Sequence, residues 1–284
     1  MLGVLFDGVA YGSLLFIVSL GLSVTMGLMN FVNLAHGAFA MAGGYVSVVA
    51  MTRLGVPFLA ALPIAFFATA ILGGILERVL YRRLYGATHL DQVLFSIGLT
   101  FIAVAGATWM FGSAQQPLRL PEFLRGQWHV AGVDIGVYRA FLVALVAMLT
   151  AILSLVVEKT RFGAQVRASV DDARAARGLG IDVDRVFSVT FAFGSGLAGL
   201  GGALGIEVLG LDPSFPFKFM VYFLLVVVVG GAGNVAGTLV TAVLLGILDV
   251  AGKYYVPQAG AFVIYGAMVV LLIAFPIGLF GRRR

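Results

Sequence analysis

The sequence predicts an all-α fold, a polytopic transmembrane helix bundle of about eight to ten membrane segments, some of them broken. Composition is the first reason: of 284 residues, 61% are hydrophobic and only 11% charged, with a mean hydropathy of +1.07, outside the range of water-soluble globular domains. The second is length, because apolar runs close to the roughly 20 residues that cross a bilayer core recur from end to end. The third is period: strict alternation of apolar and polar residues is absent, which argues against a β-barrel.

Taken in order, apolar runs between polar breaks give candidate spans near residues 8–29, 33–52, 57–76, 92–112, 138–157, 187–206, 219–249 and 258–279. The first run lacks a basic leader and carries Asp7, so it reads as a retained span and not a cleaved signal peptide. The run at 219–249 is too long for one ordinary span, and its middle, Gly230-Gly231-Ala232-Gly233-Asn234, is a poor helix interior. Each glycine there costs roughly 1 kcal/mol relative to alanine, so the run splits into two helices meeting at a turn.

Charge tests the split. Arg78, Arg82 and Arg83, then Lys159, Arg161, Arg167, Arg174, Arg177 and Arg185, then Arg282 to Arg284 make up twelve of the 18 basic residues. The positive-inside rule puts all of them in the cytoplasm, which requires the split, a cytoplasmic C-terminus and an N-terminus outside. The net charge of +5 therefore reads as orientation in a lipid bilayer and not as a nucleic-acid surface. Loop 113–137, with Pro117, Pro121, Trp128 and His129, falls outside as an ordered interfacial cap. The whole of 1–284 reads as one transmembrane domain. Small-residue pairs such as Gly8 and Gly12, Gly201 and Gly205, and Gly233 and Gly237 are packing signals of any bundle.

Several chemistries are excluded or disfavoured. The absence of cysteine rules out disulfides and thiolate metal sites. The chain has no G-x-x-x-x-G-K-[ST] motif and so no P-loop of its own; energy has to come from a partner, an ion gradient or downhill flow. Asp91, Glu158, Glu207 and Asp249 lie near span ends and read as solvated interfacial carboxylates, which disfavours an ion-coupled carrier. Ser195, between Gly194 and Gly196, would need a base to act as a nucleophile, and His36 is the one histidine near an embedded segment.

Two regions carry functional signals. At the junction of the first two spans, Asn30, Asn33, His36 and Gly37 suggest non-helical backbone, tolerated at membrane depth when buried in protein or lining a cavity. The bland reading is that these side chains only satisfy a turn. Gly230, Gly231, Gly233 and Asn234 invite the same pair of readings, as a gate or as a close helix crossing. The other region is 158–186, a charged segment of 29 residues. Within it, Ser169-Val170-Asp171-Asp172 has the form of a capping box, followed by Arg174 and Arg177 in the last turn and Gly178 past the end. That predicts a helix of about two turns, too short to stand alone in water and therefore packed against a surface.

With these residues in view, the chain resembles the membrane permease of branched-chain amino-acid ABC importers, the LivH type, over nearly its full length. The matching pieces are Asn33 to Gly37 with Gly43-Gly44-Tyr45, Ser96 to Leu99 with Gly98 leading to Phe111-Gly112, and Thr160-Arg161-Phe162-Gly163 to Arg167-Ala168. Ala175-Ala176 to Gly180-Ile181, and Val229 to Asn234 with Gly237 and Gly246, complete the set. The resemblance implies a permease domain whose 158–186 loop, including Asp171, Asp172, Arg174, Ala175, Arg177 and Gly180, docks on a cytoplasmic ATPase subunit, although a literal Glu-Ala-Ala is absent. It implies no cofactor in this chain, with ATP bound by the partners, together with a second homologous permease and a periplasmic binding protein at a bacterial-type inner membrane. It implies alternating access for branched-chain or related amino acids; relatives of this kind also carry urea and short amides. The rival from another class is a stand-alone channel or facilitator for a small neutral solute.

Overall fold

The computed structural model describes residues 1–29, 31–118, 120–130, 132–275 and 278–279. Eleven α-helices are found among them: α1 Leu2–Met29, α2 His36–Arg53, α3 Phe58–Val79, α4 His89–Phe111, α5 Val137–Lys159, α6 Arg161–Asp171, α7 Ala173–Gly178, α8 Val183–Leu209, α9 Phe215–Gly230, α10 Val235–Tyr255 and α11 Gly260–Ala274. Two short 3-10 turns, η1 at Tyr81–Leu84 and η2 at Glu122–Leu124, complete the helical elements.

The all-α expectation holds with one addition. The loop between α4 and α5 contains a two-stranded antiparallel hairpin, β1 Gln127–Val130 with β2 Val133–Gly136, in which Trp128 faces Ile135. The loop is tied to the start of the α8–α9 connection by a bond from the Gln116 amide to the Leu211 carbonyl at 2.8 Å.

The long seventh run is two helices, as its glycines require. α9 stops at Gly230, Gly231 and Gly233 take positive φ of 88° and 82°, and Asn234 caps α10 by accepting the Gly237 amide at 2.9 Å. By length and composition six helices, α1, α3, α4, α5, α8 and α10, can cross a membrane. The expected eight to ten is not reached on that criterion because α9 and α11 have only 16 and 15 residues, and α2, with 18, is not apolar enough from His36 to Arg53. At a rise of about 1.5 Å per residue, α9 spans about 24 Å against a bilayer core of about 30 Å.

The centre of the bundle is α1 and α8, both buried over most of their length, whereas α4 and α5 lie at the periphery. Glycine is why the centre closes. A Cβ at Gly8 would come 2.6 Å from Ile247 Cα, and one at Gly12 would come 2.6 Å from Ala242 O, so α1 and α10 pack antiparallel, backbone on backbone. Gly21 meets Gly194 in the same way between α1 and α8, and Gly43 meets Gly199 between α2 and α8. Without a hydrophobic force between helices in lipid, such close approach supplies the dispersion contact that holds them.

One end of the bundle gathers the end of α1, η1, α6, α7, the start of α8 and the α9–α10 turn. The Gly233 amide bonds the Ser23 carbonyl at 2.9 Å, Arg82 reaches Asp184 at 2.5 Å, and Leu279 N bonds Val229 O at 2.6 Å. Of the basic residues grouped from the sequence, Arg82 and Arg177 meet on Asp184 at this charged end, and Arg282 to Arg284 lie outside the described residues.

Candidate functional site

Asn30 lies outside the described residues. From Phe31 to Ala35 the chain leaves the helix, and its backbone groups find partners on other elements. Val32 N donates to Gln92 Oε1 at 3.4 Å and Leu34 N to Ser96 Oγ at 3.2 Å, both on α4. Asn33 Oδ1 accepts from Ala35 N at 3.1 Å and from the Tyr81 hydroxyl at 3.0 Å. His36 Nε2 lies 2.7 Å from Val18 O; a carbonyl only accepts, so that nitrogen carries the proton. Asn33 and His36 are both buried. This is the accounting that non-helical backbone at membrane depth demands, because an unpaired polar group there costs several kcal/mol. It also answers the nucleophile question: His36 bonds α1 rather than Ser195, which packs against Gly73 of α3.

A cavity of about 530 Å³ opens between α2, α3 and α4. Ala35 forms one limit, and Phe39, Ile64, Leu76, Leu99 and Met110 are among its walls. Tyr45, stacked on Phe111 with ring centroids 4.3 Å apart, also lines it, and its hydroxyl has no hydrogen-bond partner among the described residues. The volume is that of a small-ligand site. The wall carries no charge and suits an aliphatic group. None of the path residues expected from sequence that lie among the described residues lines this cavity. A Cβ at Gly37 would come 3.0 Å from Pro216 Cα, Gly230 abuts Thr238, and Gly98 is exposed on α4 with nothing within 4 Å.

The α9–α10 turn is a close crossing. Gly233 packs on Gly27 of α1, and Ser23 Oγ lies 2.9 Å from Thr238 Oγ1. With Gly231 and Gly233 in the left-handed region, side chains here would be strained as well as crowded.

The charged loop differs in detail from its sequence reading. Ser169 does not start the short helix; it is buried inside α6, whose N-cap is Thr160, accepting from Gly163 N at 3.0 Å. Gly163 sits where a Cβ would strike the Val156 carbonyl at 2.5 Å, and Arg167 donates to Val157 O, so both fasten α6 to the end of α5. The short helix is α7, and Asp172 is its cap: Oδ1 accepts from Arg174 N at 2.8 Å and Ala175 N at 2.9 Å. Those amides, Ala175 first, hold the Asp172 carboxyl below the usual carboxylate range. Asp171 ends α6 instead of opening the next helix, and Gly178 is still helical. Gly180 takes the left-handed position, with φ +83°, and the bonds Gly180 N to Arg177 O at 3.0 Å and Ile181 N to Ala176 O at 3.1 Å form a Schellman ending. Two capping signals compete here, and Asp172, three residues further, wins because α6 runs through Ser169.

Arg161, Phe162, Arg174, Ala175 and Arg177 are exposed on this end, and Leu179 is 81% exposed at the tip of α7. An exposed leucine among arginines is an apolar contact point that the sequence reading passed over.

It also missed the carboxylates that join these elements. Glu77, in α3, is fully buried; Ser188 Oγ donates to its Oε2 at 2.5 Å and the Tyr85 hydroxyl to its Oε1. Asp184, at the start of α8, accepts Arg82 at 2.5 Å and Arg177 at 2.9 Å. Asp249 is buried and not solvated: Lys253, one turn on, folds back to its Oδ2 at 2.5 Å. The expectation for Asp249 fails because Lys253, one turn further along α10, neutralises its charge locally. Asp91, Glu158 and Glu207 are exposed, as expected. Among the described residues no group of acidic or histidine side chains is arranged to hold a metal.

Residues 4–273 match the family described as branched-chain amino acid transport system / permease component. The chain is 29% identical to the high-affinity branched-chain amino acid transport system permease protein LivH of Escherichia coli K12, over 98% of this chain and 94% of that one. It is 28% identical to the corresponding protein BraD of Pseudomonas aeruginosa, over 98% and 95%. To the permease protein LivM of Salmonella typhimurium it is 28% identical, over 94% of this chain and 68% of the relative. No solved structure matches the chain.

Proposed function

The chain belongs to the branched-chain amino acid transport permease family, and from that premise we propose that it is the membrane-spanning permease subunit of an ABC importer. It moves branched-chain or related hydrophobic amino acids by alternating access, and cytoplasmic ATPase subunits drive it. A second, homologous permease and a periplasmic binding protein complete the assembly. On this reading α2, α9 and α11 join the six long helices as membrane segments, which puts the charged end in the cytoplasm and the N-terminus outside.

The observation that carries the reading is the charged end. A capped, Schellman-terminated helix of six residues, α7, presents Arg174, Ala175 and Leu179 outward from a membrane bundle. Six residues are too few to hold a helix in water alone, so the helix is built into the fold as a contact. The cavity beside Ala35, apolar and uncharged, accommodates a branched aliphatic side chain.

The test is a tagged pull-down in mild detergent from the native cell, followed by uptake into vesicles. Co-purification of an ATPase with a P-loop and of a second permease, with uptake of leucine, isoleucine or valine that requires ATP, supports the assignment. A chain that purifies alone, without an ATPase even after crosslinking through 158–186, and that conducts without ATP is a facilitator.

A further inference from the structure

Asp184 is the second residue of α8, and its carboxylate is shared between two distant parts of the chain. Oδ1 accepts Arg177 Nη2 of α7 at 2.9 Å, and Oδ2 accepts Arg82 Nη2 of η1 at 2.5 Å. η1 is a single 3-10 turn, so successive side chains point about 120° apart. Arg82 accordingly faces out to Asp184 while Tyr81 faces in and is fully buried. The Tyr81 ring packs on Phe31, Phe95 and Phe191, with centroids 5.3, 5.3 and 4.7 Å away, and its hydroxyl donates to Asn33 Oδ1 at 3.0 Å. Asn33 holds the Ala35 amide, and Ala35 lines the apolar cavity.

The contacts therefore run without a gap from α7, through Asp184, Arg82 and Tyr81, to Asn33 in the break between α1 and α2. A neighbouring anchor keeps the support still: Glu77 of α3 is bonded by Ser188 of α8 and by Tyr85, the residue after η1. The ion pairs at Asp184 are about half exposed and add little to stability. Their distinguishing property is geometric, since one carboxylate receiving two guanidinium groups fixes the separation of α7 and η1.

We infer that Asp184 is a positioning residue that transmits movement of α7 to the break at Asn33 and the cavity beside it, by way of Arg82 and Tyr81. The inference rests on the importer reading, in which α7 meets the ATPase. A transmitting element has to make different contacts in its two states, and exposed arginine pairs can be exchanged at small cost.

The experiment uses the complete importer in vesicles and reads leucine uptake per ATP hydrolysed. The two arginines sit on different oxygens of Asp184, so Asp184→Asn turns an NH2 donor toward one of them and the ratio falls about fivefold, the low end of ordinary coupling between sites. Asp184→Glu restores most of it. Arg82→Gln lowers the ratio alike and adds nothing on top of Asp184→Asn, because both cut the same link. Tyr81→Phe keeps the ring packing and removes only the hydroxyl, so it reports on the link even where Asp184→Asn assembles poorly. A residue that only stabilised the fold would lower uptake and hydrolysis together and leave the ratio unchanged. An unchanged ratio in Tyr81→Phe and Arg82→Gln overturns the inference. A wild-type complex that shows no ATP-dependent uptake overturns the importer reading instead.

Discussion

Adding one methyl group at Gly12 probes how the bundle is held together. A Cβ there would lie 2.6 Å from both Ala242 O and Val243 Cα of α10. Ordinary van der Waals contact begins near 3.4 Å, and backbone atoms cannot rotate away, so α1 and α10 have to part by about 1 Å. A gap of that size forfeits about a quarter to a half of each dispersion contact along the seam. Overpacking of this kind costs about 1–3 kcal/mol, against which alanine returns up to about 1 kcal/mol of helix propensity over glycine. Gly12→Ala is therefore destabilising by about 1 kcal/mol in mid-range, a fall of about 2–4 °C in melting temperature for a chain of this size. Gly8→Ala acts on the same seam, where a Cβ would lie 2.6 Å from Ile247 Cα. Once the helices have parted, the second methyl enters space already opened, so the double variant loses less than the sum of the two. Gly266→Ala is the control: it sits in α11 with nothing within 4 Å, and only the propensity gain remains. The assay is thermal unfolding of the purified protein in detergent, followed by size-exclusion profile. A Gly12→Ala protein that melts with Gly266→Ala, at or above wild type, refutes the backbone-on-backbone reading of α1 and α10.

Three further outcomes follow from the site. Asn33→Leu strands the Tyr81 hydroxyl and the Ala35 amide and slows uptake by about tenfold, from about 1–3 kcal/mol of unmet polar groups, while membrane insertion persists; wild-type kinetics would leave Asn33 with no part in transport. Asp172→Ala removes the cap of α7, which raises amide exchange at Arg174 and Ala175, whereas Asp172→Asn keeps an acceptor and most of the protection. Because the cap holds this carboxyl below its usual range, protection is complete at neutral pH and is lost as pH falls through that lowered value; protection that instead weakens as pH rises would contradict the cap. Reversing the charges of the Arg174 and Asp171 pair by R174D and D171R abolishes ATP-driven uptake with normal expression, and uptake at the wild-type rate would remove α7 from the ATPase contact.

The long apolar runs and the split at Gly230 to Asn234 follow from local chemistry, and the sequence by itself determined them. Span length is set by bilayer thickness, and glycine-rich turns break helices wherever they fall. The short charged helix was legible too, but not its first residue. Ser169 and Asp172 both satisfy the local capping rule, and the choice depends on how α6 docks on the end of α5 through Gly163 and Arg167. Asp249 and Glu77 mark the other limit. Asp249 reads from the sequence as a solvated span end and Glu77 carries no sequence signal, yet Asp249 is buried against Lys253 and Glu77 against Ser188 and Tyr85. Burial and pairing are set by which helices pack together, a property of the whole bundle and not of any window of residues. The joint at Asp184, which draws Arg82 and Arg177 onto one carboxylate, is the fullest case: no spacing in the chain announces it, and only the tertiary fold brings its three members together.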